Sequence, residues 1–269
     1  MFSILIMIGI LSICIGSIAR DENITFVDYC FRNLLSFTIT DLPHPVSEII
    51  YLSLRGNNLQ RFPNNILKLS SLERLILSEN PQITFPLDGS PFLISRSLID
   101  LDCECCGIKA ITTRSLRGLP HLETLRLPNN TIQIIEKRAF RHNPNIRMLD
   151  LRQNKLTSLP MTILIGLHKM KKLDLSENRD LAPQKDQPFL VSNSLEILKC
   201  NNCGFSTAQE VTFSKLANLK KLHLAGNSLL MTPCFLPFPT VLGVHLMKVI
   251  TDCQRYLENN CYPIVIIQN

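Results

Sequence analysis

The chain holds 269 residues with a net charge of +6, 45% of them hydrophobic and 19% charged. That is too apolar for a disordered chain and ample for a large buried core. The positive excess is small and scattered, which argues against nucleic acid as a partner.

Residues 1–19 read as a secretory signal. Phe2 to Gly16 is almost wholly apolar, and Ser17-Ile18-Ala19 offers a small–x–small cleavage site before Arg20-Asp21-Glu22 turns polar. A retained anchor is the competing reading. No later apolar run approaches the ~20 residues that span a bilayer, so export and release are expected, with no further transmembrane span. Export sets an oxidising environment. Of the ten cysteines, Cys14 lies in the signal, and the nine that remain are an odd number. Residues 20–48 are expected to form an N-terminal cap, with Cys30 its single cysteine and a glycosylation sequon at Asn23.

From 49 to 233 one pattern recurs eight times: L-x-x-L-x-L-x-x-N-x-L. Its fourth position is held by Leu52, Leu75, Leu101, Leu125, Leu149, Leu173, Leu198 and Leu222. Its ninth is held by Asn57, Asn80, Cys106, Asn130, Asn154, Asn178, Cys203 and Asn227. Positions four and six of a short strand point inward and the intervening positions point to solvent. The ninth-position amide, both donor and acceptor, is expected to pair buried turn groups of adjoining units. No unit buries its apolar face alone, so stability comes from stacking.

These units resemble the typical extracellular leucine-rich repeat family. The resemblance implies an α/β fold, a right-handed solenoid of about eight repeats with a parallel sheet on its concave face, and binding of proteins or glycans. A longer period is also visible. Ser78-Glu79-Asn80, Pro91-Phe92-Leu93, Ser97-Leu98, Cys103, Cys106 and Gly107 return as Ser176-Glu177-Asn178, Pro188-Phe189-Leu190, Ser194-Leu195, Cys200, Cys203 and Gly204. Duplication of a four-unit block accounts for this, and the combination is similar to chaoptin-like and Toll-like surface proteins.

Two C-x-x-C pairs, Cys103/Cys106 and Cys200/Cys203, suggest zinc in isolation. Their register excludes a shared site, because units three and seven lie about 19 Å apart at ~4.8 Å per strand. They read instead as small buried residues replacing core leucine and ladder asparagine, with no metal or cofactor. Cys105, at position eight, is expected at the sheet margin, either in a local or intermolecular disulfide or as a free thiol.

Positions three, five and seven should face outward as the partner-binding strip. The candidates are Tyr51, Arg74, Asp100, Asp102, Glu104, Arg126, Met148, Asp150, Arg152, Lys172, Asp174, Lys199 and His223. Asp100, Asp102 and Glu104 form an acidic row on unit three, and Arg126, Arg152, Lys172 and Lys199 lean basic beyond it. Such a mixed face suits an extracellular protein or glycoprotein partner, with simple solvation as the bland alternative. A second sequon, at Asn129, falls on the rim. Residues 234–269 are expected to cap the far end. There, apolar spacing over 241–257 predicts a helix or irregular element, and Cys234, Cys253 and Cys261 are disulfide candidates. No catalytic motif is present and the six histidines are scattered. The sequence therefore reads as a non-enzymatic secreted or cell-surface recognition protein for adhesion or immune-type sensing, with a matrix structural protein or a secreted enzyme inhibitor as alternatives.

Overall fold

The computed structural model describes residues 20–228, apart from 22–23, 43–44, 64–65 and 207, together with 243–245. The expected signal over 1–19, the Asn23 sequon, the three C-terminal cysteines and most of the 234–269 cap lie outside the described residues.

Every fourth-position leucine from Leu52 to Leu222 is at most 1% exposed, as is every sixth-position residue from Leu54 to Leu224. Their alternation builds one short strand per unit. β1 (Arg20–Asp21), β2 (Ile24–Asp28), β3 (Ile49–Ser53), β4 (Arg74–Ile76), β5 (Asp100–Asp102), β7 (Thr124–Arg126), β9 (Met148–Asp150), β10 (Lys172–Asp174), β11 (Ile197–Lys199), β12 (Lys221–His223) and β13 (Gly243–His245) form an eleven-stranded sheet in that order. All neighbours run parallel except β1 with β2. The leucines pair with one another throughout, Leu101 with Leu125 and Leu125 with Leu149, so equivalent positions line up in rows. β6 (Ala110–Ile111) and β8 (Ile134–Ile135) make a separate parallel pair. The fold is the expected solenoid. Its return arms are turns and short 3-10 stretches, with no α-helix among the described residues.

The asparagine ladder is hydrogen-bonded as the pattern requires. Asn154 Nδ2 donates to Leu151 O of its own coil and Leu127 O of the preceding one, both at 2.9 Å. Its Oδ1 accepts the Ile132 amide at 3.0 Å. Asn80, Asn130, Asn178 and Asn227 repeat this arrangement. Asn57 does the same toward Tyr29 and Leu34 at the front. Each asparagine satisfies two carbonyls and an amide that burial would otherwise leave unpaired, at about 1–3 kcal/mol apiece.

Two coils break the ladder, and the same local change explains both. Coils two and six carry an extra residue after the asparagine: Asn80-Pro81-Gln82-Ile83 and Asn178-Arg179-Asp180-Leu181, against Asn154-Lys155-Leu156 in coil five. The longer turn lets the Ile83 amide donate to Asn80 O at 3.0 Å and Leu181 to Asn178 O at 2.9 Å. Elsewhere the corresponding core-residue amide reaches forward to the next asparagine. Coils three and seven therefore need no acceptor at position nine, and Cys106 and Cys203 stand there. The Cys106 thiol still donates to Leu77 O at 3.4 Å. The longer turn also pushes a carbonyl toward the next coil. A Cβ on Gly107 would lie 2.5 Å from Pro81 O, and one on Gly204 2.0 Å from Arg179 O. The long period in the sequence is thus one structural device used twice. Its serines match too: Ser97 Oγ donates to Leu69 O at 3.3 Å and Ser194 Oγ to the equivalent Leu167 O at 2.8 Å.

The sheet extends beyond the eight repeats at both ends. Within the expected cap, β2 is already a solenoid strand, with Val27 beside Leu52. Near the other end, Gly243–His245, within the span expected to form a helix or irregular element, pairs in parallel with β12 and sets Val244 in register with Leu222.

Candidate interaction face

Strand pairing fixes the outward rows. Row three runs Tyr51, Arg74, Asp100, Thr124, Met148, Lys172, Ile197, Lys221, and row five runs Ser53, Ile76, Asp102, Arg126, Asp150, Asp174, Lys199, His223. Eleven of the thirteen sequence-derived candidates occupy these two rows, and Glu104 and Arg152 follow two residues beyond row five. Their availability differs sharply.

The acidic row is not an open acidic strip. Asp100 is buried, held between Arg126 at 2.5 Å and Arg74 at 3.0 Å. Burial pushes its carboxyl above the usual carboxylate range, and the two guanidinium groups only partly offset this. Asp102 accepts the Ser78 hydroxyl at 2.6 Å and the Glu104 amide at 3.0 Å. Glu104 accepts the Asn129 side-chain amide at 2.9 Å. The sequence pattern showed three neighbouring charges, but the cross-strand partners that absorb them come from other coils.

Position-five aspartates share a backbone duty that sequence reading missed. Asp102, Asp150 and Asp174 each accept the amide of the residue two further on, at 3.0–3.2 Å, and Asp28 does so toward Cys30 at 2.8 Å. This closes the turn where each strand ends, the common work of aspartate at such places. The signal was legible as the recurring D at position five. Asp150 also holds Arg152 at 2.9 Å, while buried Asp174 stands 3.9 Å from both Arg152 and Lys199.

What remains uncommitted gathers in row three. Lys172 and Lys221 make no ion pair among the described residues and alternate with half-buried Met148 and Ile197. Tyr51 stacks on Phe26 at 4.1 Å, and burial raises its phenol pKa. His223 is half-buried at the far end of row five.

Ionic pairs flank the strip. On the position-two rim Glu123 holds Arg147 at 3.1 Å, and Glu196 bridges Lys171 and Lys220. The two ammonium groups hold the Glu196 carboxyl down to about 2. On the opposite rim Arg55 binds Glu79 at 2.6 Å. The Asn129 sequon lies on this rim, half-buried and engaged with Glu104.

The cysteine pairs depart from expectation in one respect. Cys200 and Cys203 are buried, as the register required, but they are joined in a disulfide. A core-leucine and ladder-asparagine reading anticipated no bond, because it treated positions six and nine separately, although one turn brings them together. Cys103 and Cys106 are buried thiols and Cys105 is half-buried. Three strands separate coils three and seven, and no group of residues suited to a metal occurs among the described residues.

A cleft of about 180 Å³ on the return side is lined by Leu159, Pro160, Met161, Pro188, Phe189 and neighbouring serine, alanine and glutamine residues. It is smaller than the ~300 Å³ at which ligand sites begin and has no titratable side chain. No helix among the described residues is long and apolar enough to cross a membrane.

A family model described as leucine rich repeat matches residues 96–156. Human FLRT2, a leucine-rich repeat transmembrane protein, is 28% identical over 236 residues, covering 86% of this chain and 33% of its own length. Toll-like receptor 3 of Boselaphus tragocamelus is 30% identical over 202 residues, covering 70% of this chain and 22% of its own. Among solved structures, a TLR13–ssRNA13 complex is similar with a TM-score of 0.53 and 21% identity, over 83% of this chain and 39% of that one. At that identity the likeness concerns the fold, and the RNA belongs to that complex. The chain spans about a third or less of the length of these two curated relatives.

Proposed function

The chain is a leucine-rich repeat protein, and on that footing we propose that it is a non-enzymatic extracellular recognition module. It binds a protein or glycoprotein partner through the outward sheet strip, taken as the concave face, in adhesion or immune-type recognition. The observation that carries this reading is the uncommitted alternation of Met148, Lys172, Ile197 and Lys221 along one straight row. One half-buried and one exposed cation beside apolar side chains fit a protein surface offering carboxylates and apolar groups, where charge sets register and encounter rate. A polyanion such as nucleic acid fits less well, because Arg126, Arg152 and Lys199 face carboxylates of the same sheet.

The test begins with the mature chain as bait on intact cells and extracellular extracts, followed by identification of what is captured. Lys172→Glu with Lys221→Glu is expected to weaken that complex about tenfold or more, as like-charge juxtaposition costs whole kcal/mol. Lys137→Glu, exposed on the return side, is expected to leave it unchanged. The reverse pattern moves the binding site off the sheet. Charge reversal at Asp100 is unsuitable, since that residue is buried between two arginines.

A further inference from the structure

We propose that Cys103 and Cys106 close into a disulfide that clips the third coil as Cys200–Cys203 clips the seventh. The reason lies in what the ladder leaves undone. In an asparagine coil, the ninth residue ties back to the sixth-position carbonyl of its own coil, as Asn154 does to Leu151 and Asn130 to Leu127. Cysteine at position nine cannot make that tie. In coil seven a covalent bond between positions six and nine takes its place, across a Cα separation of 5.4 Å, within the range that disulfides span.

Coil three shares each feature that sets up this bond. The same two positions carry cysteine, and the preceding coil has the same extra residue. The residue before the second cysteine has the same left-handed backbone, φ +52° at both Cys105 and Asn202. A glycine follows in each case, against the displaced carbonyl. Cys106 stands close enough to Cys103 to help push that thiol up. Both are buried, and no metal-binding group of residues competes for them among the described residues.

The chemistry is a thiol–disulfide exchange with a small disulfide such as oxidised glutathione. The Cys106 thiolate attacks one glutathione sulfur, forming a mixed disulfide and releasing the first glutathione thiol. The Cys103 thiolate then attacks the Cys106 sulfur and expels the second. Two cysteine thiols lose two protons and two electrons, and one glutathione disulfide becomes two glutathione thiols. Burial pushes the Cys103 thiol well up, which makes its thiolate scarce once the coils have stacked. The bond therefore forms while coil three is still open, and Cys105, half-buried at the rim, is the thiol left over.

Sequential alkylation of the full chain, refolded in glutathione redox buffer, tests this. Free thiols are blocked under denaturing conditions with iodoacetamide, disulfides are then reduced, and the released thiols are labelled with N-ethylmaleimide before peptide mapping. The expected result is the second label on Cys103, Cys106, Cys200 and Cys203 and the first on Cys105. Cys105→Ser should leave the labels of coil three unchanged. Recovery of Cys103 or Cys106 with the first label overturns the assignment, whatever the state of coil seven. So does loss of their protection in Cys105→Ser, since it would mean that Cys105 was the bonded partner.

Discussion

At position eight the backbone of every coil turns left-handed, from φ +52° at Gln153 to +70° at Gly226. Four of the eight units meet that need with the residues suited to it: Gly56, Asn129, Asn202 and Gly226. Glu79, Cys105, Gln153 and Glu177 hold the same conformation against their own preference, because the ladder fixes the turn on either side. Gln153 isolates this term, being exposed and engaged among the described residues through its backbone amide, toward Ser176 O at 2.9 Å. Gln153→Val is expected to lower the unfolding free energy by about 1–2 kcal/mol, since a branched Cβ crowds the left-handed region. Gln153→Asn should leave it within ~0.5 kcal/mol, the usual range for an exposed site. Chemical denaturation of the two variants checks this, and equal effects would mean that the turn tolerates branching. A residue-by-residue hydropathy reading sees only a polar rim here. Conformation, not polarity, is what the position selects.

At the scale of the coil, the extra residue, the cysteine and the glycine form a unit of three parts spread over two neighbouring turns. Gly107→Ala is expected to destabilise by about 1–3 kcal/mol, as overpacking does, because its Cβ meets a backbone carbonyl that cannot swing aside. Shortening Pro81-Gln82 to one residue should relieve most of that loss and make Cys106→Asn favourable. The combined changes would then couple by about 1 kcal/mol or more, measured as a double-mutant cycle. Strict additivity would mean that the three features are independent. The core leucines, the ladder and the duplication were all legible in the sequence, since each repeats in register with the strands. The disulfide, the turn-closing aspartates and the partnering of Asp100 were not. These depend on which side chains of different coils come within bonding distance, and spacing along one chain does not report that. The strands at Val27 and Val244 were not legible for a related reason: each is in register with the repeat leucines, but its flanking residues no longer match the repeat.

For the molecule as a whole, the outward strip lies between two rims on which charged pairs join several neighbouring coils. Removing protons or adding them acts on these rims and on the sheet face in opposite senses. Glu196 is held down to about 2 by Lys171 and Lys220 against an ordinary value of 4.5. A depressed folded-state pKa contributes stability that is present above pH 4.5 and fades as pH falls toward 2. Asp100 is shifted upward by burial, so its protonation on acidification relieves a cost instead of adding one. The rim therefore loosens in acid while the sheet face around Asp100 does not. Thermal unfolding of Glu196→Gln against the parent chain, followed from pH 7 to pH 2, checks the sign. The parent should be the more stable above pH 4.5, and the gap should close as pH approaches 2. Because both cations and the carboxylate are solvent-accessible, added salt should shrink the gap at pH 7 as well. A gap independent of pH and salt would show that Glu196 acts through packing and that the coils do not depend on charge along this rim.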